Sequence, residues 1–375
     1  MKILIAPDSF KNSMNAVRVC EIMRQAVLDV YPKTEVEMLP IADGGEGTIQ
    51  AMQLALEAQE ICLEVNGSLS NSKEYVSYLA FHDTAIIEMA QANGLERLHS
   101  DPDPLNASTY GTGEMIADAI EKGFRDILIG IGGSATNDGG TGAMQALGAV
   151  FYDRDGRLIE RMCGKEMINI GRIDVSGMHP AIRKTSITVM CDVDNPLTGP
   201  QGATYVYGSQ KGATDEMLRQ LEAGMLSYRE HLARMSTTAT PEVPGAGAAG
   251  GLGAALMIFL GAKPMPGIEA VLDYGKFNEK AKNSDLIITG EGKTDAQTLR
   301  GKAVAGVCKR AERFGVPVIL VAGSIDLFAE EIMSLGISRA VSLMRGNMEL
   351  SYALRHAEDL LYKRTCEMLK SVQSD

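Results

Sequence analysis

Short aliphatic runs alternate with segments of helical period at both ends of the chain, and this alternation constrains the fold more than any other feature. Apolar residues recur at helical spacing after the first run, and Ser13 is placed to cap that helix. The predicted strands are residues 2–6, 36–39, 286–289, 318–321 and 339–343, and the predicted helices include 16–30, 304–314 and 350–368. Alternating strands and helices are typical of a parallel sheet, so we predict a flavodoxin-like or Rossmann-like α/β domain built from both chain ends.

The middle of the chain has a different pattern. Between residues 61 and 89, strand-like runs such as EYVSYLAF and TAIIEMA lie close together without helical spacers, which favours antiparallel pairing. Further elements are predicted as a helix at 114–122, strands at 126–131 and 186–190, a hairpin at 153–156 and a helix at 214–234. A chain of 375 residues is long enough for two domains. We therefore predict an inserted second α/β domain with a mixed sheet.

In this scheme, residues 1–60 and 280–375 form the discontinuous flavodoxin-like domain, and residues 61–279 form the insert. We expect the active site in the cleft between the two domains. Their boundaries follow from where the helical spacers between strands disappear and return.

Composition excludes several classes of function. A formal net charge of -12, without a basic run, argues against a nucleic-acid partner, because binding to phosphate chains requires clustered cations. The six cysteines form no C-x-x-C pair and the five histidines no H-x-x-H pair, so a structural zinc site is not expected. Asp8 comes too early for a signal-peptide apolar region, which predicts a cytoplasmic protein with reduced thiols.

One uncharged segment raises the question of a membrane span. Residues 243–262, VPGAGAAGGLGAALMIFLGA, number twenty, which is just long enough to cross a hydrocarbon core of about 30 Å. Six of them are glycine, which is neither strongly apolar nor favourable in helices. We predict a glycine-rich loop that leads into a buried helix.

Polar and anionic residues follow the predicted strands. Ligands of open α/β sheets bind beyond the carboxyl ends of the strands, so these positions are the candidates for function. They include Asp8, Ser9, Lys11, Asp43, Gly44, Gly45, Lys293 and Asp295 in the outer domain, and residues 132–140 and Asp192 in the insert. A single aspartate after a strand is usually a helix cap or turn residue. Repetition at five strand ends instead indicates phosphoryl transfer, which needs hard oxygen ligands, cations and a base.

Known nucleotide motifs match the glycine-rich segments poorly. Residues 130–142, GIGGSATNDGGTG, contain six glycines and fit G-x-G-x-x-A after a strand, but Asp153, at the distance expected for a ribose ligand, falls in the predicted hairpin. The match G-x-G-x-x-G at Gly245 follows no strand. Gly292-Lys293-Thr294 has Ile287 where a Walker loop has its first glycine, and the protein kinase motifs are absent from the sequence.

Eight blocks in a fixed order carry a resemblance to one family. They are APDSFKNSMNA at 6–16, PIADGGEGT at 40–48, STYGTGE at 108–114, GIGGSATNDGGTGAMQALG at 130–148, CDVDNPLTGPQGA at 191–203, QKGA at 210–213, GAGAAGGLG at 245–253 and TGEGKTDAQTLRGK at 289–302. Together they resemble the bacterial glycerate kinase family over most of the chain. Departures from the family pattern at Ala143-Met144 and Lys293-Thr294 remove no charged group.

The resemblance implies ATP-dependent phosphorylation of D-glycerate with Mg²⁺, and it suggests 2-phosphoglycerate as the product. Combined with the strand ends, it gives each candidate residue a role. Asp192, with Asp8 and Asp43 as rivals, is the expected base. Ser9 and Lys11 are expected to hold the glycerate carboxylate, together with Asp43, Gly44 and Gly45. Asp43 and Asp295 are the expected Mg²⁺ ligands. The expected nucleotide and phosphate contacts are Gly132, Gly133, Ser134, Thr136, Asn137, Asp138, Lys211, Gly250, Gly251 and Lys293.

Alternatives stay open at this point. The product could be 3-phosphoglycerate, and the chain could be a glycerate-binding or phosphate-binding regulator without catalysis, because fold does not fix function. A nicotinamide dehydrogenase is the third alternative, although the poor motif matches count against it. The expected partners are D-glycerate and ATP, without nucleic acid or membrane, and a homodimer is left open.

Overall fold

The computed structural model describes residues 1–42, 48–69, 72–98, 101–235, 241–300 and 303–372. The predicted site residues Asp43, Gly44 and Gly45 lie outside this part of the chain. Its strands are β1 (Lys2–Ile5), β2 (Glu35–Met38), β3 (Gln59–Asn66), β4 (Lys73–Phe81), β5 (Thr84–Glu88), β6 (Asp126–Gly130), β7 (Val150–Asp153), β8 (Ile170–Asp174), β9 (Ser186–Met190), β10 (Lys263–Met265), β11 (Leu286–Thr294), β12 (Val318–Ile325) and β13 (Ile337–Ser342).

The α-helices of the described residues separate most of these strands. They are α1 (Ala16–Val30), α2 (Thr48–Leu56), α3 (Ala90–Asn93), α4 (Tyr110–Glu121), α5 (Thr141–Ala146), α6 (Ala203–Tyr207), α7 (Asp215–Met235), α8 (Leu252–Leu260), α9 (Gly267–Tyr274), α10 (Phe277–Lys282), α11 (Ala303–Glu312), α12 (Ala329–Ser334), α13 (Leu350–Arg355) and α14 (Ala357–Val372).

The chain divides into two compact units. The first consists of Met1–Asp43, Gln50–Ala58 and Ile268–Asp375, and the second of Gly44–Ile49 and Gln59–Gly267. The first unit therefore contains both ends of the chain.

A five-stranded parallel sheet organises the first unit. The strand order is β13-β12-β11-β1-β2, and every neighbouring pair is parallel. This is the order of flavodoxin-like folds, and it confirms the predicted sheet. On one face, α1 and α14 pack against the strands through a core that includes Met23, Val27 and Leu361. The topological switch point lies between β1 and β11, the position at which such sheets bind ligands.

Three local predictions for the first unit were wrong. Asn15, not Ser13, caps α1 by accepting a hydrogen bond from the Arg18 backbone N–H at 2.8 Å, whereas the Ser13 hydroxyl donates to the Phe10 carbonyl. The single closing helix is two helices, α13 and α14, because the chain breaks its helical conformation at His356. Strand β11 continues through the GEGKT segment to Thr294, where a loop was expected.

The long β11 depends on glycines that sequence patterns associate with loops. A side chain at Gly323 of β12 would overlap the carbonyl oxygen of Gly292 on β11, so the absence of a Cβ allows the two strands to pair closely. The pairing continues as far as Thr294 opposite Ile325. Glycine in a strand often marks such a close backbone approach.

A mixed six-stranded sheet organises the second unit, in the order β10-β9-β6-β5-β4-β3. The β3–β4 and β4–β5 pairs are antiparallel, as predicted for residues 61–89, and the remaining pairs are parallel. The predicted turn at 153–156 is present, closed by a hydrogen bond from the Asp153 N–H to the Arg157 carbonyl, but the ladder partner of β7 is β8.

The uncharged segment 243–262 belongs to the second unit. It forms tight turns followed by α8, whose residues Leu252 and Leu256 are fully buried in the core of this unit. Among the described residues, no helix has both the length and the apolar character to cross a bilayer. The prediction of a glycine-rich loop leading into a buried helix is confirmed.

Candidate functional site

The carboxyl ends of four parallel strands in the first unit surround one cavity of about 650 Å³. This volume lies within the usual range of small-molecule sites, roughly 300 to 1,000 Å³. Its polar lining comes from Asp8 to Ser13 after β1, from Glu291 to Gln297 at the end of β11, and from Gly323 to Asp326 at the end of β12. Of the residues predicted from strand ends, the structure brings Asp8, Ser9, Lys11, Lys293 and Asp295 together here.

Short backbone contacts fix the loop after β1. The Asp8 N–H donates to the Gly290 carbonyl of β11 at 2.8 Å, and the Asp8 carboxylate accepts from the Ser9 N–H at 2.6 Å. A Cβ on Gly292 would lie 3.1 Å from the Lys11 backbone nitrogen, so glycine lets this loop lie close against β11. The polar residues after β1 thus lie beside those of β11, at the topological switch point.

Lys293 is held between two carboxylates at the same cavity. Its Nζ lies 2.8 Å from Asp326 and 3.7 Å from Asp295. The hydrogen bond with Asp326, which is the larger influence, and the charge of Asp295 raise the pKa of Lys293 above its ordinary value. The side chain is therefore a cation at neutral pH whose position is set by these two carboxylates.

Hydrogen bonds order the segment after Lys293. The Thr298 hydroxyl donates to Glu291 Oε1 at 2.7 Å, and the Asp295 backbone N–H donates to the Thr298 Oγ1 at 3.2 Å. The Asp295 carboxylate accepts from the Gln297 N–H at 2.9 Å. Glu291 is only 7% exposed. These contacts give the carboxylates of Glu291 and Asp295 defined positions at the cavity wall.

The residues of this cavity that were not predicted from the sequence include Glu291, Ser324 and Asp326. Glu291 lies just after the predicted strand 286–289 but was not among the predicted site residues. Ser324 and Asp326 were missed because β12 was predicted to end at Val321, while it continues to Ile325. The same strand-end rule, applied to the run VAGSID, would have identified both of them.

In the second unit, the glycine-rich segment follows β6 as predicted. Gly133 is exposed and Gly132 partly exposed, and Gly133 has a φ of +71°. The polar side chains that follow face inward instead: Ser134 is 7% exposed, and Thr136, Asn137 and Asp138 are fully buried. Only the two glycines at the tip therefore present their backbone to solvent.

Asp138 ties this segment to two helix starts. Its carboxylate accepts from the Thr109 N–H and hydroxyl, both at 2.8 Å, and from the N–H groups of Gly140 and Gly142, both at 3.1 Å. Burial raises the pKa of Asp138, although the four donors act in the opposite direction. The Asp138 carboxylate, the only charged group of the glycine-rich segment, thus accepts hydrogen bonds from residues at the starts of α4 and α5.

Lys211 is a buried cation beside the same segment. It is 2% exposed, and its Nζ donates to Ser134 Oγ at 2.8 Å and to the Thr136 carbonyl at 2.7 Å. Burial lowers the pKa of Lys211 to about 7, and the nearby charge of Asp138 opposes this shift. Near neutral pH the amine is therefore divided between its charged and neutral forms.

Other buried polar atoms of this region have hydrogen-bonding capacity that the described residues do not use. The Asn137 amide donates to Thr204 Oγ1 at 3.2 Å, whereas Asn137 Oδ1, Thr136 Oγ1 and the Tyr228 hydroxyl have no hydrogen-bond partner within the described ranges. Buried polar atoms normally find partners. These atoms lie in a fully buried part of the second unit.

Gly250 and Gly251 pack against the glycine-rich segment. The Gly139 N–H donates to the Gly250 carbonyl at 2.9 Å, and Gly250 has a φ of +65°. A side chain on Gly250 would overlap the Thr136 carbonyl, and a Cβ on Gly251 would lie 2.8 Å from the Gly139 Cα. The absence of side chains at Gly250 and Gly251 therefore allows their backbone to pack closely against Thr136 and Gly139.

Asp192 follows β9, and its strand end lies beside that of β6, since Met190 pairs with Gly130. The side chain is exposed, and its Oδ1 accepts from the Gly267 N–H at 3.0 Å. Asp192 and the glycine-rich segment therefore share one edge of the mixed sheet, as their predicted strands required.

The donor set at the first unit's cavity fits a magnesium ion that arrives with a phosphate ligand. Asp8, Glu291, Asp295 and Asp326 supply carboxylate oxygens there. Within the described ranges, no group of three or more histidine, cysteine, aspartate or glutamate side chains is arranged to hold a metal by itself. Mg²⁺ typically takes only one or two carboxylates and completes its shell with water and phosphate oxygens.

Comparison with known proteins identifies the family. The model of the glycerate kinase family matches residues 3–373. The chain is 43% identical over 361 residues to "Glycerate kinase" of Halalkalibacterium halodurans, covering 96% of this chain and 95% of that protein. It is 41% identical over 362 residues to "Glycerate 2-kinase" of Escherichia coli K12, covering 96% and 94%.

A solved structure agrees with this result. The crystal structure from Salmonella typhimurium LT2 assigned as glycerate kinase 2 matches with a TM-score of 0.88 and 40% identity, over 100% of this chain and 98% of that one. The predicted resemblance is confirmed over the whole length of the chain. This chain belongs to the glycerate kinase family.

Proposed function

We propose that this protein transfers the γ-phosphoryl group of ATP to the 2-hydroxyl of D-glycerate, with Mg²⁺, and releases 2-phosphoglycerate and ADP. The observation that carries the proposal is the similarity over nearly the whole chain to proteins named glycerate kinase and glycerate 2-kinase. The cavity of the first unit supports it, because a fixed cation, hydroxyl groups and carboxylates lie together at a switch point of the sheet.

The reaction forms a bond between the glycerate 2-oxygen and the γ-phosphorus and breaks the bond from that phosphorus to the oxygen bridging to the β-phosphorus. The leaving ADP takes that oxygen, and a carboxylate accepts the proton of the attacking hydroxyl. Most of the catalytic effect in such a transfer comes from positioning and from charge stabilisation. Lys293, held by Asp326, is suited to stabilising negative charge on the phosphoryl oxygens.

For glycerate, we propose that Ser9 and Lys11 hold the carboxylate. Both line the cavity next to Asp8, which makes Asp8 a candidate base in the same unit as this anion site, as is Asp43 from the sequence alone. Asp192, which the sequence favoured, belongs to the second unit. Both assignments stay predictions, and the substitutions described below separate them.

For Mg²⁺, we propose Asp295 as a ligand, directly or through water. The ion would neutralise phosphate charge and orient the γ-phosphoryl group. Asp43 is proposed as a second ligand, and Gly44 and Gly45 as glycerate contacts, from the sequence alone.

The remaining predicted phosphate contacts are proposed with one refinement. Gly132 and Gly133 are suited to bind phosphate through backbone N–H groups, because they form the exposed tip of their segment. The residues proposed to support that tip from behind form hydrogen bonds within the second unit; they are Ser134, Thr136, Asn137, Asp138, Lys211, Gly250 and Gly251.

Several wider predictions also remain proposals. These are a discontinuous domain of residues 1–60 and 280–375, an inserted domain of residues 61–279, an active site in the cleft between them, a cytoplasmic location and a homodimer. The alternatives are formation of 3-phosphoglycerate and a binding regulator without catalysis.

A coupled assay of ADP release, with D-glycerate, ATP and Mg²⁺, tests the proposal. We expect turnover that depends on all three and is lost with L-glycerate or EDTA. Binding of D-glycerate and ATP without ADP release would leave only the regulator. If Asp8→Asn loses turnover while Asp192→Asn keeps it, Asp8 is the base, and the opposite result selects Asp192. Circular dichroism of both variants provides the control for folding.

A further inference from the structure

The cavity of the first unit has a second, apolar wall that glycerate does not need. Leu343 and Met344 follow β13, and Leu350, Ala353 and Leu354 lie on α13. Glycerate has three carbons, each bearing oxygen, and offers no apolar face. Binding of glycerate therefore accounts for the polar side of the cavity around Ser9 and Lys11, but it does not account for this aliphatic side.

Two leucines of the aliphatic wall have exposed side chains. Leu350 is 62% exposed and Leu354 39% exposed, although both line a concave surface. Beside them, Leu343 and Ala353 are 3% and 7% exposed, which gives the wall a packed base. A flat apolar group bound there would remove both leucine side chains from water, and burial of that kind is favourable.

The loop after β1 and the apolar wall lie at opposite ends of the four strands that surround the cavity. The sequence β1-β11-β12-β13 contains three strand spacings, which amounts to roughly 14 Å at about 4.8 Å each. Lys293 and Asp326 come from the two middle strands, between Lys11 on one side and Leu343 on the other. A ligand that fills the cavity is therefore apolar at one end and anionic towards the middle.

We infer that the aliphatic wall formed by Leu343, Met344, Leu350 and Leu354 binds the nucleobase of the phosphoryl donor. The triphosphate then extends towards Lys293, and glycerate occupies the β1 end of the same cavity. This inference rests on the proposed function for the identity of the nucleotide. Four carboxylates line the cavity alongside two lysines, Lys11 and Lys293, so the triphosphate enters as its magnesium complex.

Photolabelling with 8-azido-ATP and Mg²⁺ on the full chain, followed by mass spectrometry of the peptides, tests the inference. We expect the label on residues 343–357, with loss of labelling when excess ATP is added and no loss when D-glycerate is added. Labelling of residues 130–142 in place of 343–357 would overturn the inference. Labelling at the wall without any ADP release would support the nucleotide site while contradicting the proposed function.

Substitutions of the wall give a second readout. Leu354→Glu places a charge beside the base and is expected to weaken binding of a fluorescent ATP analogue by about tenfold or more, and Leu350→Ala by about threefold. The KM for D-glycerate is expected to stay within about twofold. Unchanged nucleotide affinity in both variants would overturn the inference.

A matched control separates the wall from a general effect of surface charge. Leu226 on α7 is 45% exposed and does not line the cavity. Leu226→Glu therefore makes the same exchange at similar exposure in the second unit, and it is expected to leave the affinity for the ATP analogue unchanged. An equal loss of affinity in Leu226→Glu and Leu354→Glu would contradict the assignment of the wall.

Discussion

The buried amine of Lys211 makes the second unit more stable as the pH rises above neutrality. Burial lowers the pKa of this lysine from 10.5 to about 7. Between these two values the unfolded chain holds a proton that the folded chain releases, so the free energy of unfolding increases with pH in this window. With about 1.36 kcal/mol for each pKa unit, this one group is expected to add about 2 kcal/mol between pH 7 and pH 9.

The perturbation that isolates this effect is Lys211→Met. The substitution removes the titration together with the two hydrogen bonds to Ser134 Oγ and the Thr136 carbonyl. Loss of the bonds is independent of pH and costs on the order of 1 to 3 kcal/mol. The stability of the wild-type protein relative to Lys211→Met should therefore grow by about 2 kcal/mol from pH 7 to pH 9.

Amide hydrogen exchange in stepped urea, read by mass spectrometry on peptides of α7, measures this difference within one unit. Ser134→Ala provides the control, because it removes one acceptor but leaves the amine to titrate, so its pH dependence should have the same sign as that of the wild type. Parallel curves for the wild type and Lys211→Met would refute the lowered pKa. A difference that shrinks as the pH rises would refute its direction.

Three further substitutions test the contacts of both units. Asp138→Asn leaves donors facing an amide nitrogen and should lower the free energy of unfolding by at least about 3 kcal/mol in urea titrations, and a loss below about 1 kcal/mol would contradict its anchoring role. Gly250→Ala should lower the free energy of unfolding clearly more than Gly199→Ala. A Cβ at Gly199 would have no atom within 4 Å. Gly199→Ala therefore incurs only the strain of a positive φ, which costs about 1 to 2 kcal/mol. Lys293→Gln should raise the KM for MgATP about tenfold or more, and an unchanged KM would exclude Lys293 from phosphate binding.

The architecture followed from the sequence to a large extent. Five parallel strands from the two chain ends were predicted and are present, and β9 was predicted with its observed bounds, Ser186–Met190. Short apolar runs that alternate with longer segments of helical period are consistent with buried parallel strands. The prediction failed where glycine occurs inside a strand: β11 extends through Gly290 and Gly292, because neighbouring backbones need the space that a side chain would fill.

The candidate site was predicted less completely. The strand-end rule brought Asp8, Lys11 and Lys293 to one cavity, because parallel strands share an edge. It could not indicate that Asp138 and Lys211 face inward, since the burial of a polar side chain depends on partners far away in sequence, such as Thr109 for Asp138. Nor could it find the aliphatic wall, because apolar residues at helical spacing such as Leu350 and Leu354 predict a helix face that packs on the core, whereas both side chains are exposed.

Phosphorus NMR of the product formed from D-glycerate, ATP and Mg²⁺ shows which hydroxyl group is phosphorylated. We expect coupling of the new phosphorus resonance to the single C2 proton, as in 2-phosphoglycerate. Coupling to the two C3 protons would show 3-phosphoglycerate and contradict the assigned hydroxyl. The absence of any new phosphomonoester resonance, with the protein folded and ATP bound, would contradict the kinase activity itself.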